Sequence, residues 1–129
     1  MTAMADAGAH ADVLVAEDDP TNLFVMQTLL EAFACVVVTA ANGVEAAERA
    51  TIDHPKLILM DISMPKMDGV EAARKIRREM PNARIPIVAV TANATREQRA
   101  ECEAAGFDDF LVKPVDPEAL KAVVERYLV

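Results

Sequence analysis

Leu57-Ile58-Leu59-Met60-Asp61 decides the fold of this chain. An unbroken apolar run of this length reads as a strand buried on both faces, and it ends where such a strand should surface, in a carboxylate. Behind it comes Ile62-Ser63-Met64-Pro65-Lys66-Met67-Asp68-Gly69, a loop rich in chain breakers. Open α/β sheets place their ligands at the C-terminal edges of parallel strands, so Asp61 stands at a candidate site. The plain alternative is a carboxylate that caps the next helix.

Working outward, strand and helix alternate to both ends. The first strand is Val13-Leu14-Val15-Ala16, and Asp19-Pro20 then supplies a helix cap followed by Pro at the first helical position. The first helix runs to about Phe33, with Val25, Met26, Leu29, Leu30 and Phe33 facing inward. A second strand is expected over residues 35–39, and a helix over 43–51 that buries mainly alanines. The third strand ends at Asp61, and a helix over 68–80 is stopped by Pro81. The fourth strand is expected over 85–90. The fourth helix starts at Thr95, where Thr95-Arg96-Glu97-Gln98 fits a capping box, and ends at Gly106, a C′ glycine. After a fifth strand over 110–112, Asp116-Pro117 opens a last helix with the stripe Leu120, Val123, Val124, Tyr127 and Leu128. Residues 1–11 are Ala-rich without periodicity and read as a disordered leader, leaving 12–129 as one domain.

Five strands alternating with five helices imply an α/β fold, a parallel sheet covered on both faces. Right-handed crossovers bring every strand C-terminus to one edge, which collects Glu17, Asp18, Asp61, Thr91 and Lys113. The pattern does not itself give the order of the strands.

The 129 residues are 53% hydrophobic but only 4% aromatic, so the core must be aliphatic. No run approaches the ~18 apolar residues of a membrane span, and no basic segment followed by an apolar stretch opens the chain. The expected protein is soluble and cytoplasmic. A net charge of -8 argues against direct nucleic-acid binding, which needs clustered Lys and Arg. Cys35 and Cys102 fall inside elements, without metal-ligand spacing, and read as packed, reduced thiols. His10 and His54 have no ligand-type neighbours in sequence.

Three acids converging in one cleft repel one another unless a cation intervenes. Mg²⁺ suits carboxylates, a carbonyl and waters, with Mn²⁺ as the alternative. Such a site can accept a phosphoryl group: Asp61 as nucleophile, Lys113 as a second positive charge, and the Thr91 hydroxyl as a donor to a phosphoryl oxygen. Each residue alone has a plain reading. Asp19 is a helix cap, Asp18 a solvated turn residue, Thr91 a strand-end hydroxyl and Lys113 an exposed lysine before a proline. Four complementary strand ends together outweigh those readings.

Over residues 12–129 the chain resembles the receiver domain of two-component response regulators, closest in style to receivers of hybrid histidine kinases or single-domain regulators. The motifs that carry the resemblance are Val15-Ala16-Glu17-Asp18-Asp19, Leu59 to Gly69, Val90-Thr91-Ala92 and Val112-Lys113-Pro114. The resemblance implies a flavodoxin-like (βα)5 sandwich with strand order 2-1-3-4-5. It implies that Asp61 accepts a phosphoryl group from phosphohistidine on a histidine kinase or phosphotransfer protein. By the same resemblance Asp18 ligates Mg²⁺ directly, Glu17 reaches it through water, and Ser63 offers its backbone carbonyl. Thr91 and Phe110 match the switch pair, Lys113 the lysine, and Lys113-Pro114 is expected to be cis. Glu at 17 and Phe at 110 depart from the more frequent Asp and Tyr.

Phe24 is out of place on the first helix, because its helical neighbours Gln27, Thr28 and Glu31 are polar. With Leu23 beside it, Phe24 is the expected contact for a phosphohistidine partner. Three other functions compete, one of them an unphosphorylated interaction module, which the intact constellation disfavours. A haloacid-dehalogenase-type aspartyl-phosphate phosphatase uses the same groups but places its nucleophile after the first strand. A nucleotide-binding domain would need a glycine-rich loop there, and this chain has acids instead.

Overall fold

Five strands and five helices alternate through residues 11–128, the span that the computed structural model describes. In chain order they are β1 (Val13–Ala16), α1 (Pro20–Ala32), β2 (Val37–Ala40), α2 (Gly43–Asp53), β3 (Leu57–Asp61), α3 (Gly69–Glu79), β4 (Ile87–Thr91), α4 (Arg96–Ala105), β5 (Asp109–Val112) and α5 (Pro117–Leu128). The strands form one parallel sheet in the order β2-β1-β3-β4-β5. That is the flavodoxin-like order the resemblance implied.

The central strands read as continuous apolar runs because both of their faces are covered. Side chains alternate between two cores. Leu14, Ile58, Met60, Ile87 and Ala89 pack with α2, α3 and α4. Val13, Val15, Leu57, Leu59, Val88 and Val90 pack with Met26 and Leu30 of α1 and Leu120, Val123 and Val124 of α5. The alanines Ala46, Ala47 and Ala50 give α2 its buried face, as the sequence suggested.

Several boundaries shift for local reasons. β2 begins at Val37 rather than at 35, because the Cys35 N–H still bonds the Leu30 carbonyl and the Val36 N–H bonds the Asp12 carboxylate at 2.7 Å. β4 begins at Ile87 because Pro86 has no N–H for the ladder. Of the expected leader, residues 1–10 lie outside the described span. Ala11 is buried, with its N–H bonded to the Asp53 carbonyl at 3.2 Å, so the folded part includes it.

The caps follow expectation. Asp19 Oδ1 accepts the Thr21 N–H at 2.9 Å, Asp68 caps α3, Thr95 caps α4, and Gly106 ends α4 in the left-handed region with φ 101°. The inward stripe of α1 needs one correction. Val25 is 47% exposed, while Met26 and Leu30 are buried and Leu29 and Phe33 pack half-buried against the core. Val25 is one residue, about 100° of helical turn, from Met26, which turns it away from the sheet.

Candidate functional site

Strand register brings the chemistry together. Ala16 pairs with Met60, which sets Glu17 alongside Asp61 at the sheet edge. Asp61 pairs with Val90 and Thr91 with Val112, so Thr91 and Lys113 finish the next two strands one step further on. Asp61 is 4% exposed, Thr91 equally so and Glu17 still less, whereas Asp18 lies open to solvent. The loop after Asp61 folds back on it: the Gly69 N–H bonds the Ile62 carbonyl at 2.9 Å. A Cβ at Gly69 would lie 2.2 Å from the Asp61 carbonyl oxygen, a space no other residue could share.

The two oxygens of Asp61 have different partners. Oδ1 accepts the Ser63 N–H at 3.1 Å, and Oδ2 accepts Lys113 Nζ at 2.9 Å. The same ammonium lies 2.9 Å from Glu17 Oε1, while Glu17 Oε2 accepts the Asp19 N–H at 3.1 Å. The contact at Oε1 is charge on charge and lacks hydrogen-bond alignment, so this buried oxygen keeps capacity for another cation. Carboxylate oxygens of Glu17, Asp18 and Asp61 all lie within 4.8 Å of one another. Two buried acids and an exposed one at that separation suit a small, hard divalent cation, so the donor set fits Mg²⁺.

Burial raises the Glu17 carboxyl above its ordinary value; Lys113 and the Asp19 amide oppose this, and Asp61 adds to it. Burial alone would lower Lys113, but its bond to Asp61 and its ion pair with Glu17 outweigh that and hold the ammonium above its usual range. The cluster therefore carries a fixed positive charge beside Asp61.

Thr91 and Phe110, the expected switch pair, both touch α4. The Thr91 hydroxyl donates to Gln98 Oε1 at 2.7 Å, and the Arg99 guanidinium lies 4.7 Å from the centroid of the half-buried Phe110 ring. Neither Gln98 nor Arg99 stood out in the sequence. Gln98 looked like one half of a capping box, and no spacing rule links it to a strand end. The Lys113-Pro114 bond is cis. Beside the acids, a cleft of about 450 Å³ is lined by Glu17, Asn22, Val25, Ala92, Lys113 and Val115, among others. Phe24 is 70% exposed near its rim in sequence, whereas Leu23 is half-buried and packs against the core. Of the two expected contact residues, only Phe24 projects.

Residues 13–125 match the family model of the response regulator receiver domain. A signal transduction histidine-protein kinase of Escherichia coli, BarA, is 38% identical over 115 residues, covering 89% of this chain. The chain spans 7–13% of the length of that kinase and two other curated relatives, and 91% of a fourth. Among solved structures, the receiver domain of a sensor histidine kinase from Pseudomonas aeruginosa, crystallised with magnesium coordinated in its active-site cleft, is 35% identical with a TM-score of 0.84, covering 93% of this chain and 98% of that one. A receiver domain co-crystallised with a histidine phosphotransfer protein of Saccharomyces cerevisiae is 28% identical, with a TM-score of 0.86 and coverage of 92% and 89%.

Proposed function

Since the chain belongs to the response regulator receiver domain family, a module of two-component signal transduction, we propose that Asp61 is its phosphoacceptor. The observation that carries this reading is the Asp61 carboxylate at a strand end, bonded to Lys113 at 2.9 Å and within 4.8 Å of two further acids. An oxygen of Asp61 forms a bond to phosphorus as the P–N bond of a phosphohistidine breaks. The electron pair leaves with the imidazole nitrogen, and an acyl phosphate remains on Asp61.

Lys113 stands ready to pair with the charge that arrives, and the Thr91 hydroxyl to donate to a phosphoryl oxygen. Asp18, Asp61, the Ser63 carbonyl and Glu17 through water would hold Mg²⁺ (or Mn²⁺), which supplies positive charge to the phosphoryl oxygens. The donor is a histidine kinase or a histidine phosphotransfer protein, the latter the kind of partner with which one similar receiver domain was co-crystallised, and Phe24 with Val25 beside the mouth offers it an apolar contact. The chain passes a signal rather than turning over an external substrate. It works in the cytoplasm, without contacting nucleic acid or membrane; among the described residues no helix is long and apolar enough to cross a membrane. Nothing favours the dehalogenase-type alternative, and of the acids after the first strand Asp19 is spent as a helix cap.

Intact-mass analysis with acetyl phosphate and Mg²⁺ tests the reading. One phosphate adduct is expected, absent from Asp61→Asn and in EDTA; a full adduct on Asp61→Asn would sink the assignment. With the cognate phosphohistidine donor, Phe24→Ala should slow transfer while leaving acetyl-phosphate labelling unchanged. Ready hydrolysis of p-nitrophenyl phosphate would speak for a phosphatase instead.

A further inference from the structure

The proton of the Thr91 hydroxyl is already committed. It goes to Gln98 Oε1 at 2.7 Å, while Thr91 Oγ1 accepts the Asn93 N–H at 3.1 Å. A hydroxyl has a single proton, so while this bond stands Thr91 has nothing to donate to a phosphoryl oxygen. Gln98 lies in the first turn of α4, its N–H bonded to the cap oxygen of Thr95 at 3.1 Å. In a reciprocal capping box a glutamine here would bend back to the N–H of the cap residue. This one reaches the strand end instead. The next residue, Arg99, covers Phe110, so one turn of α4 holds both side chains matched to the switch.

Resting on the reading of Asp61 as phosphoacceptor and Thr91 as its hydroxyl donor, we infer that Gln98 is a positioning residue. Its side-chain oxygen competes with the phosphoryl group for the Thr91 proton and ties the first turn of α4 to the unphosphorylated site. A phosphoryl oxygen is a charged acceptor and makes bonds roughly twice as strong as a neutral amide does. Exchange therefore runs toward the phosphoryl group, but against the Gln98 bond, and α4 comes free as that bond breaks.

Removing the competing acceptor should favour the phosphoryl-bound form by about fivefold, the net worth of one neutral hydrogen bond. The test is calorimetric titration with beryllium fluoride and Mg²⁺, a phosphoryl mimic, in a double-mutant cycle. Gln98→Leu should tighten binding by about fivefold when Thr91 is present and leave it unchanged in a Thr91→Val background. Gln98→Glu, which keeps an acceptor, should bind no more tightly than the unaltered chain. Equal shifts in both backgrounds, or none in either, would overturn the inference while leaving the site reading intact. Equal binding of the mimic by Asp61→Asn would overturn both. If circular dichroism shows Gln98→Leu unfolded, Gln98→Met carries the same comparison.

Discussion

The guanidinium of Arg77 reaches three residues on two separate stretches of chain. Nε and Nη2 donate to the Gly106 carbonyl at 3.2 and 2.7 Å, Nη1 to the Ile85 carbonyl at 2.7 Å, and Nη2 also to Asp108 Oδ2 at 2.9 Å. Asp108 in turn accepts the Ile87 N–H at 2.9 Å, so the start of β4 and the turn into β5 are fastened through one side chain. Gly106 makes room for it: a Cβ there would sit 3.0 Å from the Arg77 stem, and its φ of 101° suits glycine. In sequence Arg77 is simply a basic residue in the last turn of α3, favourable to the helix dipole. Arg77→Ala should cost about 2–3 kcal/mol, because it takes this donor from two carbonyls and removes the charged partner of Asp108. The urea midpoint should fall by roughly 1–2 M. Arg77→Lys should recover less than half of this, since an ammonium cannot span the fork. A midpoint unmoved by Arg77→Ala would show that solvent replaces these bonds freely.

Helices differ in how firmly they are seated. α5 buries Leu120, Val123 and Val124, whereas α4 buries only Cys102 and Ala105. At roughly 25 cal/mol per Å² of apolar surface, three branched side chains outweigh a cysteine and an alanine by several kcal/mol. What else fastens the first turn of α4 is polar and directed at the site: Gln98 on Thr91, and Arg99 over Phe110. Such a helix is the natural one to move when the site changes charge. Hydrogen exchange should find the amides of α4 opening before those of α5, and equal protection in both would count against this. The weakness of α4 was visible in its alanines and charges, because poverty of apolar residues is a property of the segment alone.

On the scale of the molecule, the cluster of Glu17, Asp18 and Asp61 gathers three acids in a chain whose net charge is -8. Lys113 offsets part of the local repulsion by bridging Glu17 and Asp61. A divalent cation that binds only the folded state adds stability by mass action, about 2.7 kcal/mol at a hundredfold excess over its dissociation constant. For a domain of this size the melting temperature should rise by several degrees in saturating Mg²⁺ and return in EDTA. Asp18→Asn should remove most of the rise, while Glu118→Gln, on an exposed turn of α5, should keep it. An equal rise in Asp18→Asn would place the cation elsewhere.

The alternation of buried strand and capped helix, and the convergence of Glu17, Asp18, Asp61, Thr91 and Lys113, were determined by the sequence itself. Apolar runs report burial, caps report helix starts, and right-handed crossovers leave parallel strands no choice about which edge their C-termini share. Even Asp19 and Asp18 separate by local rules, the first preceding a proline at a helix start. Other features belong to tertiary structure alone. Val25 turned toward the mouth, Leu23 turned inward, Lys113 joined two acids, Gln98 took the Thr91 proton, and Arg77 fastened the far ends of two strands. Periodicity follows from backbone geometry and is written into neighbouring residues. The partners of a long polar side chain depend on how helices seat against the sheet, and Lys113 meets Asp61 across 52 residues of chain.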